Sequence, residues 1–300
     1  MSQQVGKNEV ILENEFGRAV YTPLAGASLR SLAVQTRGEE IELLTGGGGP
    51  FDPRELPPGM GCFIMAPWPN RIRDGVFDHE GRKYFLPVNS PPHAIHGTVA
   101  KNPFHVDSSS AATARFSAGL GADWPFEGTL TLEVALDGAS LVQTMEIVAA
   151  DESFPAGFGW HPWFQRDLGS ENATVQAQVE ARWILDHNMT PTGQTVEPTG
   201  VLDLTSPFTP EVGSLDDCYR ILSESETLLT WPELELSIAS SPELSHLQVY
   251  TPAESICIEP QTCAVNAFQL AARGIAGTGI AIVEPGKPLR ASTRWAWSSR

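Results

Sequence analysis

Basic residues are scarce in this 300-residue chain: 19 Lys and Arg stand against 36 Asp and Glu, a formal net charge of −17. Nucleic acids and anionic membrane surfaces are held through basic patches, so neither is expected as a partner. Charge of either sign is thin, at 18% of residues against about 25% in an average soluble domain. The polar surface therefore rests on Ser, Thr, Asn, Gln and Gly. No run of about 18 apolar residues occurs, so no membrane-spanning helix is expected. The polar start Met1–Val10 lacks the apolar stretch of a secretion signal. Cysteine is limited to Cys62, Cys218, Cys257 and Cys263, with no CxxC pair, which fits reduced thiols in a cytoplasmic protein. There is no phosphate-binding glycine loop, no GxGxxG after a strand and no HExxH. No two of the seven histidines have ligand spacing on one strand face, so the expectation is no metal and no cofactor.

What the chain does have is alternation with a period of two, the mark of half-buried strands. In Thr129–Leu136 the side chains of Leu130, Leu132, Val134 and Leu136 share one face. Asp137-Gly138 then signals a turn, and the return strand Leu141–Val148 groups Leu141, Met145 and Ile147. A second hairpin reads Gly75–Asp78, a turn at Glu80-Gly81, and Lys83–Leu86. Further strands are expected at Val10–Leu12, Ala19–Thr22, Leu228–Thr230, Leu234–Ile238, Leu247–Thr251, Ser255–Glu259, Gly279–Val283 and, closing the chain, Arg294–Ser298. Helical periodicity is nowhere sustained. With 27 Gly and 24 Pro marking turns, the fold class is all-β, a large antiparallel sandwich or barrel. No composition break splits the chain, and the Gly46–Gly49 run with Pro50–Pro53 reads as a loop inside a domain. One domain over residues 1–300 is the expectation.

Five segments place ionisable residues in apolar or Gly/Pro-rich surroundings: Pro67–Ile72, Ala94–Gly97, Gly159–Phe164, Leu215–Tyr219 and Cys257–Gln261. Arg71 either braces its loop or presents a rigid fork of donors to hydroxyls or carboxylates. His96 suits a structural role on an apolar strand, and His93, at odd spacing, would face the other way. His161 stands among Phe158, Trp160, Trp163 and Phe164. Even spacing puts His161 and Trp163 on one face, and an imidazole beside an aromatic plate suits a sugar; an aromatic core cluster with one bonded histidine is the alternative. Pro162 makes that strand an edge or an interrupted one. Glu259 ends the apolar strand Ser255–Ile258, where a carboxylate is rare unless paired or functional. Of the adjacent Asp216 and Asp217, one is expected to face inward or to cap a turn.

Taken in order, these segments resemble the aldose 1-epimerase (galactose mutarotase) family across nearly the whole chain. Ala19–Leu29 resembles its first strands, Asn70-Arg71-Ile72 with Gly75 its N-R-I…G motif, and His96-Gly97 its H-G. His161–Phe164 resembles H-x-Y-F, Thr190–Gly193 the P-T-G loop, and Asp216 with Tyr219 D-x-x-F. Gln248–Thr251 resembles Q-x-Y-T and Glu259–Gln261 E-P-Q. The resemblance implies a many-stranded antiparallel β-sandwich. It also implies Glu259 as general base, His161 as general acid and His96 assisting at the ring oxygen or on a hydroxyl. Asn70, Arg71, Asp216 and Gln248 would hold sugar hydroxyls, with Trp163 as a plate. Trp163 departs from the family's tyrosine, and Thr98–Lys101 replaces its glycine-rich loop.

The implied reaction interconverts α and β anomers of an aldohexose. A base takes the C1 hydroxyl proton while an acid protonates the ring oxygen, the ring opens, the C1–C2 bond rotates, and the hydroxyl re-adds from the other face. One carboxylate and one imidazole on opposite sides would suffice. The expected partner is a small sugar, and the chain a monomer or homodimer. A hexose 6-phosphate is the alternative substrate, since Arg73, Arg82, Lys83 and Lys101 lie near Arg71 and His96 in sequence. A non-catalytic sugar-binding protein is the alternative from another class. A glycosidase would need a second carboxylate flanking the bond, where this sequence offers a histidine.

Overall fold

A computed structural model describes residues 9–47, 59–223 and 226–300. The expected loop from Gly46 falls within these residues only as far as Gly47, and the start Met1–Asn8 lies outside them. Two antiparallel sheets dominate. Among the described residues the larger has twelve strands. Its main path runs Val10–Asn14, Gly17–Thr22, Ser28–Thr36, Cys62–Met65, Gly159–Pro162, Ser255–Gln261, His246–Tyr250, Asp216–Ile221, Val179–Leu185 and Pro191–Val196. The second has eight strands, centred on Gly128–Leu136, Ser140–Ala149 and Leu289–Ser299. Among the described residues there is one α-helix, Ala267–Ala272, too short for a sequence reading that looks for three turns. No helix among the described residues is long and apolar enough to cross a membrane.

The expected hairpins form as alternation requires. Leu130, Leu132, Val134 and Leu136 are buried, and Leu136 pairs with Leu141 across a turn in which Gly138 takes φ 56°. Val76–His79 and Arg82–Phe85 pair around Glu80 and Gly81, whose φ values of 47° and 76° match the left-handed pair of a tight hairpin turn. Two readings change. The expected strand from Gly279 begins only at Ala281, after Gly279 turns at φ 72°. The segment at Pro191–Gly193, read as a loop, opens the strand Pro191–Val196, which tolerates proline because it sits at the sheet's edge.

The core lies between the sheets. Tyr21 of the large sheet meets Phe116 of the small one at 5.6 Å, Phe164 meets Trp295 at 5.2 Å, and the Tyr21 hydroxyl donates to Gln143 Oε1 at 3.1 Å. Ile64, Trp160, Ile258, Leu247 and Tyr219 turn the inner face of the large sheet's central strands into this core. Alternation then sends their neighbours Phe63, His161, Glu259, Gln248 and Cys218 to the outer face, where the chemistry sits.

Gly159 sets how closely the two central strands approach. It pairs with Gln261, and a Cβ there would stand 2.8 Å from both the Pro260 carbonyl oxygen and Gln261 Cγ. Gly159→Ala is therefore expected to destabilise the fold by about 1–3 kcal/mol, the usual cost of overpacking. Thermal unfolding of the variant checks this, and an unchanged melting temperature would mean that these strands separate freely at this point.

Candidate active site

Strand register assembles the site. Gly159 pairs with Gln261 and Phe164 with Ile256, which are the same register, so His161 stands directly across from Glu259. Between those two contacts the ladder is open. Pro162 and Pro260 each lack an amide donor there, so the interrupted form of the strand is the one observed. On its other side His161 pairs with Phe63, and Glu259 pairs onward with Gln248. One row across the sheet thus reads Phe63, His161, Glu259, Gln248. The next row, two residues along each strand, carries Trp163, Cys257, Tyr250 and Asp216.

His161 Nε2 lies 3.3 Å from Glu259 Oε1, and both side chains are buried. They touch each other, rather than standing on opposite sides of a gap as the sequence reading had it. The second carboxylate oxygen, Oε2, accepts from Gln261 Nε2 at 3.1 Å. The imidazole is sandwiched between Phe63, with ring centres 4.6 Å apart and planes 27° apart, and Trp163, at 4.9 Å and 14°. That stack leaves the ring little freedom except to present its nitrogen edge. Phe63 was missed in the sequence; only the alternation of buried Cys62 and Ile64 around it could have signalled its strand.

Burial pushes the His161 pKa down to about 3. Burial and the negative charge of Asp216 push Glu259 well above the carboxylate range, against the hydrogen bond from Gln261 and the charge of Arg71. The free protein therefore favours a neutral imidazole beside a protonated carboxyl. Low dielectric disfavours the separated charges. The pair still carries one transferable proton.

Arg71 and His96 enter from a separate two-strand ladder in which Arg71 pairs with Ile95. Asn70, buried at φ 52°, turns its Oδ1 back to accept from the Arg71 amide at 2.9 Å and from Arg71 Nη1 at 3.1 Å. Arg71 is thus both braced and charged toward the site: its charge acts on Glu259, Asp216 and His96. His96 is not on a strand. It follows Ala94–Ile95 at φ 62°, with its amide donating to the Asn70 carbonyl at 2.9 Å, so strand alternation with His93 does not apply. His96 meets the His161 ring at 5.2 Å, edge to face, and burial and its neighbours His161 and Arg71 hold its pKa well down. His93 is instead buried elsewhere, its Nε2 3.0 Å from the Asn188 carbonyl oxygen.

Asp216 faces the site and accepts from Gln248 Nε2 at 2.6 Å, while Asp217 pairs with Arg182 at 2.8 Å. Burial raises the Asp216 pKa, and Arg71 partly opposes that. Trp163 is half-buried; one face covers His161 and its ring meets Tyr250 edge-on at 6.0 Å. The eight residues singled out in the sequence therefore converge on one region of the outer sheet face and its adjoining loop. The fold also unites donors that linear spacing kept apart: a His161 nitrogen, the Cys257 sulfur and a Glu259 oxygen lie within 4.8 Å of one another.

Known proteins carry the same architecture. A solved putative aldose 1-epimerase from Escherichia coli K12 superposes with a TM-score of 0.82 at 17% identity, covering 98% of this chain and 100% of that one. The GalM/aldose epimerase homologue from C. elegans gives 0.84 at 17% identity, covering 97% and 99%. In sequence, the uncharacterized protein YihR of Escherichia coli (strain K12) is 26% identical over 255 residues, 80% of each chain. The galactose mutarotase of Rattus norvegicus is 29% identical over 146 residues, 44% of this chain and 39% of its own. A sequence model of the family described as aldose 1-epimerase matches residues 8–295. With that match running almost end to end, the chain belongs to the aldose 1-epimerase family.

Proposed function

We propose that this protein interconverts the α and β anomers of an unphosphorylated aldohexose. The observation that carries the reading is the contact of His161 Nε2 with Glu259 Oε1 at 3.3 Å, a buried acid/base pair with one transferable proton. In a cyclic hemiacetal the C1 hydroxyl and the ring oxygen sit on the same carbon. An acid and a base that are neighbours, rather than far apart, match two oxygens that are neighbours. Glu259 takes the hydroxyl proton and His161 delivers one to the ring oxygen; closure from the other face reverses both transfers. The proton resting on the Glu259 carboxyl reaches His161 through their contact when the polar sugar and Arg71 favour the ionised form. His96 lies beside His161 and donates or accepts at the ring-oxygen end. Arg71, braced by Asn70, and Asp216, held by Gln248, hold hydroxyls, and the half-buried indole of Trp163 serves as the plate for the sugar's C–H face.

Of the four cations behind the phosphate alternative, Arg73 is paired with Asp186 and Thr190, and Lys83 with Asp78 at 3.2 Å. Arg82 and Lys101 are exposed and have no ion pair among the described residues, so the choice between free hexose and 6-phosphate falls to the exchange experiment. The pure binder gains no support, since binding a sugar requires no acid touching a base. NMR exchange spectroscopy with glucose, galactose and glucose 6-phosphate tests the reading. Exchange of a free hexose well above the spontaneous rate is expected, and exchange confined to the 6-phosphate would transfer the assignment to the alternative.

Glu259→Gln keeps size and hydrogen bonding but removes the base, and His161→Asn removes the titratable ring. Each is expected to lower kcat by at least about a hundredfold with the sugar still bound, and the double variant to lose little more than the worse single one. If the two side chains only brace the core, the variants will instead melt earlier while the folded fraction turns over normally. Arg71→Ala and Asp216→Asn should act mainly on KM, with kcat/KM falling about ten- to a hundredfold, the worth of a charged hydrogen bond. Unchanged KM in both would make these residues structural.

The pH dependence follows from the shared proton. The active form is the pair holding one proton, whichever residue carries it. His161 takes a second proton only near its depressed value of about 3, and the pair loses its proton only above the carboxylate range. The profile of kcat/KM should therefore show no inflection at the ordinary histidine value of about 6.5, and its alkaline limb should belong to Glu259. An acid limb near 6.5 that vanishes in a His161 variant would mean that the histidine titrates independently.

A further inference from the structure

The strand that delivers Glu259 also delivers a thiol. Cys257 precedes Glu259 by two residues in Ser255–Gln261, so both side chains project from the same face, and Cys257 sits in the row beside His161. The three residues are buried, and their donor atoms lie within 4.8 Å of one another. Tetrahedral zinc holds nitrogen and oxygen at about 2.0–2.2 Å, which places such ligands about 3.3–3.6 Å apart. The 3.3 Å between His161 Nε2 and Glu259 Oε1 already equals that edge. Sulfur bonds at about 2.3 Å, so Cys257 needs to close by about an ångström at most.

We propose that His161, Cys257 and Glu259 form a three-donor site for a thiophilic divalent cation, Zn²⁺ in particular, and that occupancy blocks the acid/base pair. The donor set decides the class of ion. Imidazole, thiolate and carboxylate together suit zinc and its borderline relatives, whereas Mg²⁺ and Ca²⁺ demand oxygen ligands. Charge balance favours the same ion. A thiolate and a carboxylate neutralise one dication, so the buried site gains no net charge, where an uncompensated charge would be costly. On binding, the thiol proton and the proton of the pair leave to solvent, and three coordinate bonds replace them. The other thiols, Cys62, Cys218 and Cys263, are buried too, but no such trio forms around them among the described residues. The site itself rests on geometry; only the blocking effect rests on the proposed epimerase activity. The ion is an inhibitor, not a cofactor, since it occupies the very groups that move the proton.

The test uses Co²⁺, whose absorption reports its ligands. Titration of the full-length wild-type protein should produce a thiolate-to-cobalt charge-transfer band and the intense visible bands of tetrahedral cobalt, saturating at one ion per chain. Both should disappear in Cys257→Ser and persist in Cys218→Ser. Glu259→Gln should weaken Zn²⁺ binding by at least about tenfold, or about 1.4 kcal/mol. With Zn²⁺ at ten times its Kd, anomer exchange should fall to about a tenth and recover on adding EDTA. Should Cys257→Ser fail to fold, Cys257→Ala and the Glu259→Gln affinity carry the test. No thiolate band in folded wild-type protein, or one that survives loss of the Cys257 sulfur, would overturn the site. Exchange unaffected by saturating Zn²⁺ would overturn the blocking effect. A cobalt band in a protein that exchanges no anomers would uphold the site and remove the epimerase reading instead.

Discussion

The pairing of residues 159–164 with the strand Ser255–Gln261 is the constraint on which the rest depends. It is fixed at both ends, by Gly159 against Gln261 and by Phe164 against Ile256, and it is open in the middle. A closed ladder would have satisfied the backbone and left two ordinary cross-strand neighbours. The open one puts an imidazole and a carboxylate face to face at the centre of a sheet. A slip of one residue would move every side chain of the strand to the other face. His161 would then enter the core and Trp160 would take its place outside. The apolar inner face, with Trp160 and Ile258 buried against the second sheet, is what forbids that slip. The energy that fixes the chemistry is therefore largely hydrophobic burial on the side of the sheet where no chemistry occurs.

Burial does a second thing. A carboxyl and an imidazole exposed to water would titrate separately, at about 4.3 and about 6.5. Inside this site both charged forms are disfavoured, and Asp216 adds repulsion at Glu259. The pair becomes a neutral reservoir of one proton, poised to separate charge only when something polar takes up the room around it. Arg71 is the counterweight. Its guanidinium lowers Glu259 and Asp216 and disfavours a proton on His96, so one cation biases three titrations. Asn70 keeps that cation in place through two hydrogen bonds to its own neighbour, which needs the left-handed turn that asparagine tolerates.

Much of this was legible in the chain. Alternation in Thr129–Val148 is a direct print of strands with one face in the core, and the turn signals at Asp137-Gly138 and Glu80-Gly81 announced two hairpins. The candidate residues could be found because each was chemically out of place: Glu259 at the end of an apolar strand, His161 among aromatics, Arg71 behind two prolines. Their convergence could not be derived from spacing, because His96 and His161 are brought together by register between distant strands and loops. Trp163 shows the same limit. Its even spacing from His161 gave the shared face, but only the structure shows that the two rings stack and that one face of the indole is already used. His96 misled for a local reason: a histidine at positive φ leaves the strand, and alternation ceases to apply. The link between Cys257 and the acid/base pair was likewise hidden, since nothing in a scattered set of cysteines says which one a strand will carry to a histidine.

The central claim is that His161 and Glu259 share a single proton in the resting protein, with the imidazole neutral. Nitrogen-15 NMR of the histidine rings, with His161 assigned by substitution, reads this directly. A neutral His161 imidazole at neutral pH that shows no titration near the ordinary value of about 6.5 is the expected result. Its nitrogen signal should change once Glu259 is replaced by glutamine. An imidazolium at neutral pH, or a His161 that titrates near 6.5 regardless of Glu259, would contradict it.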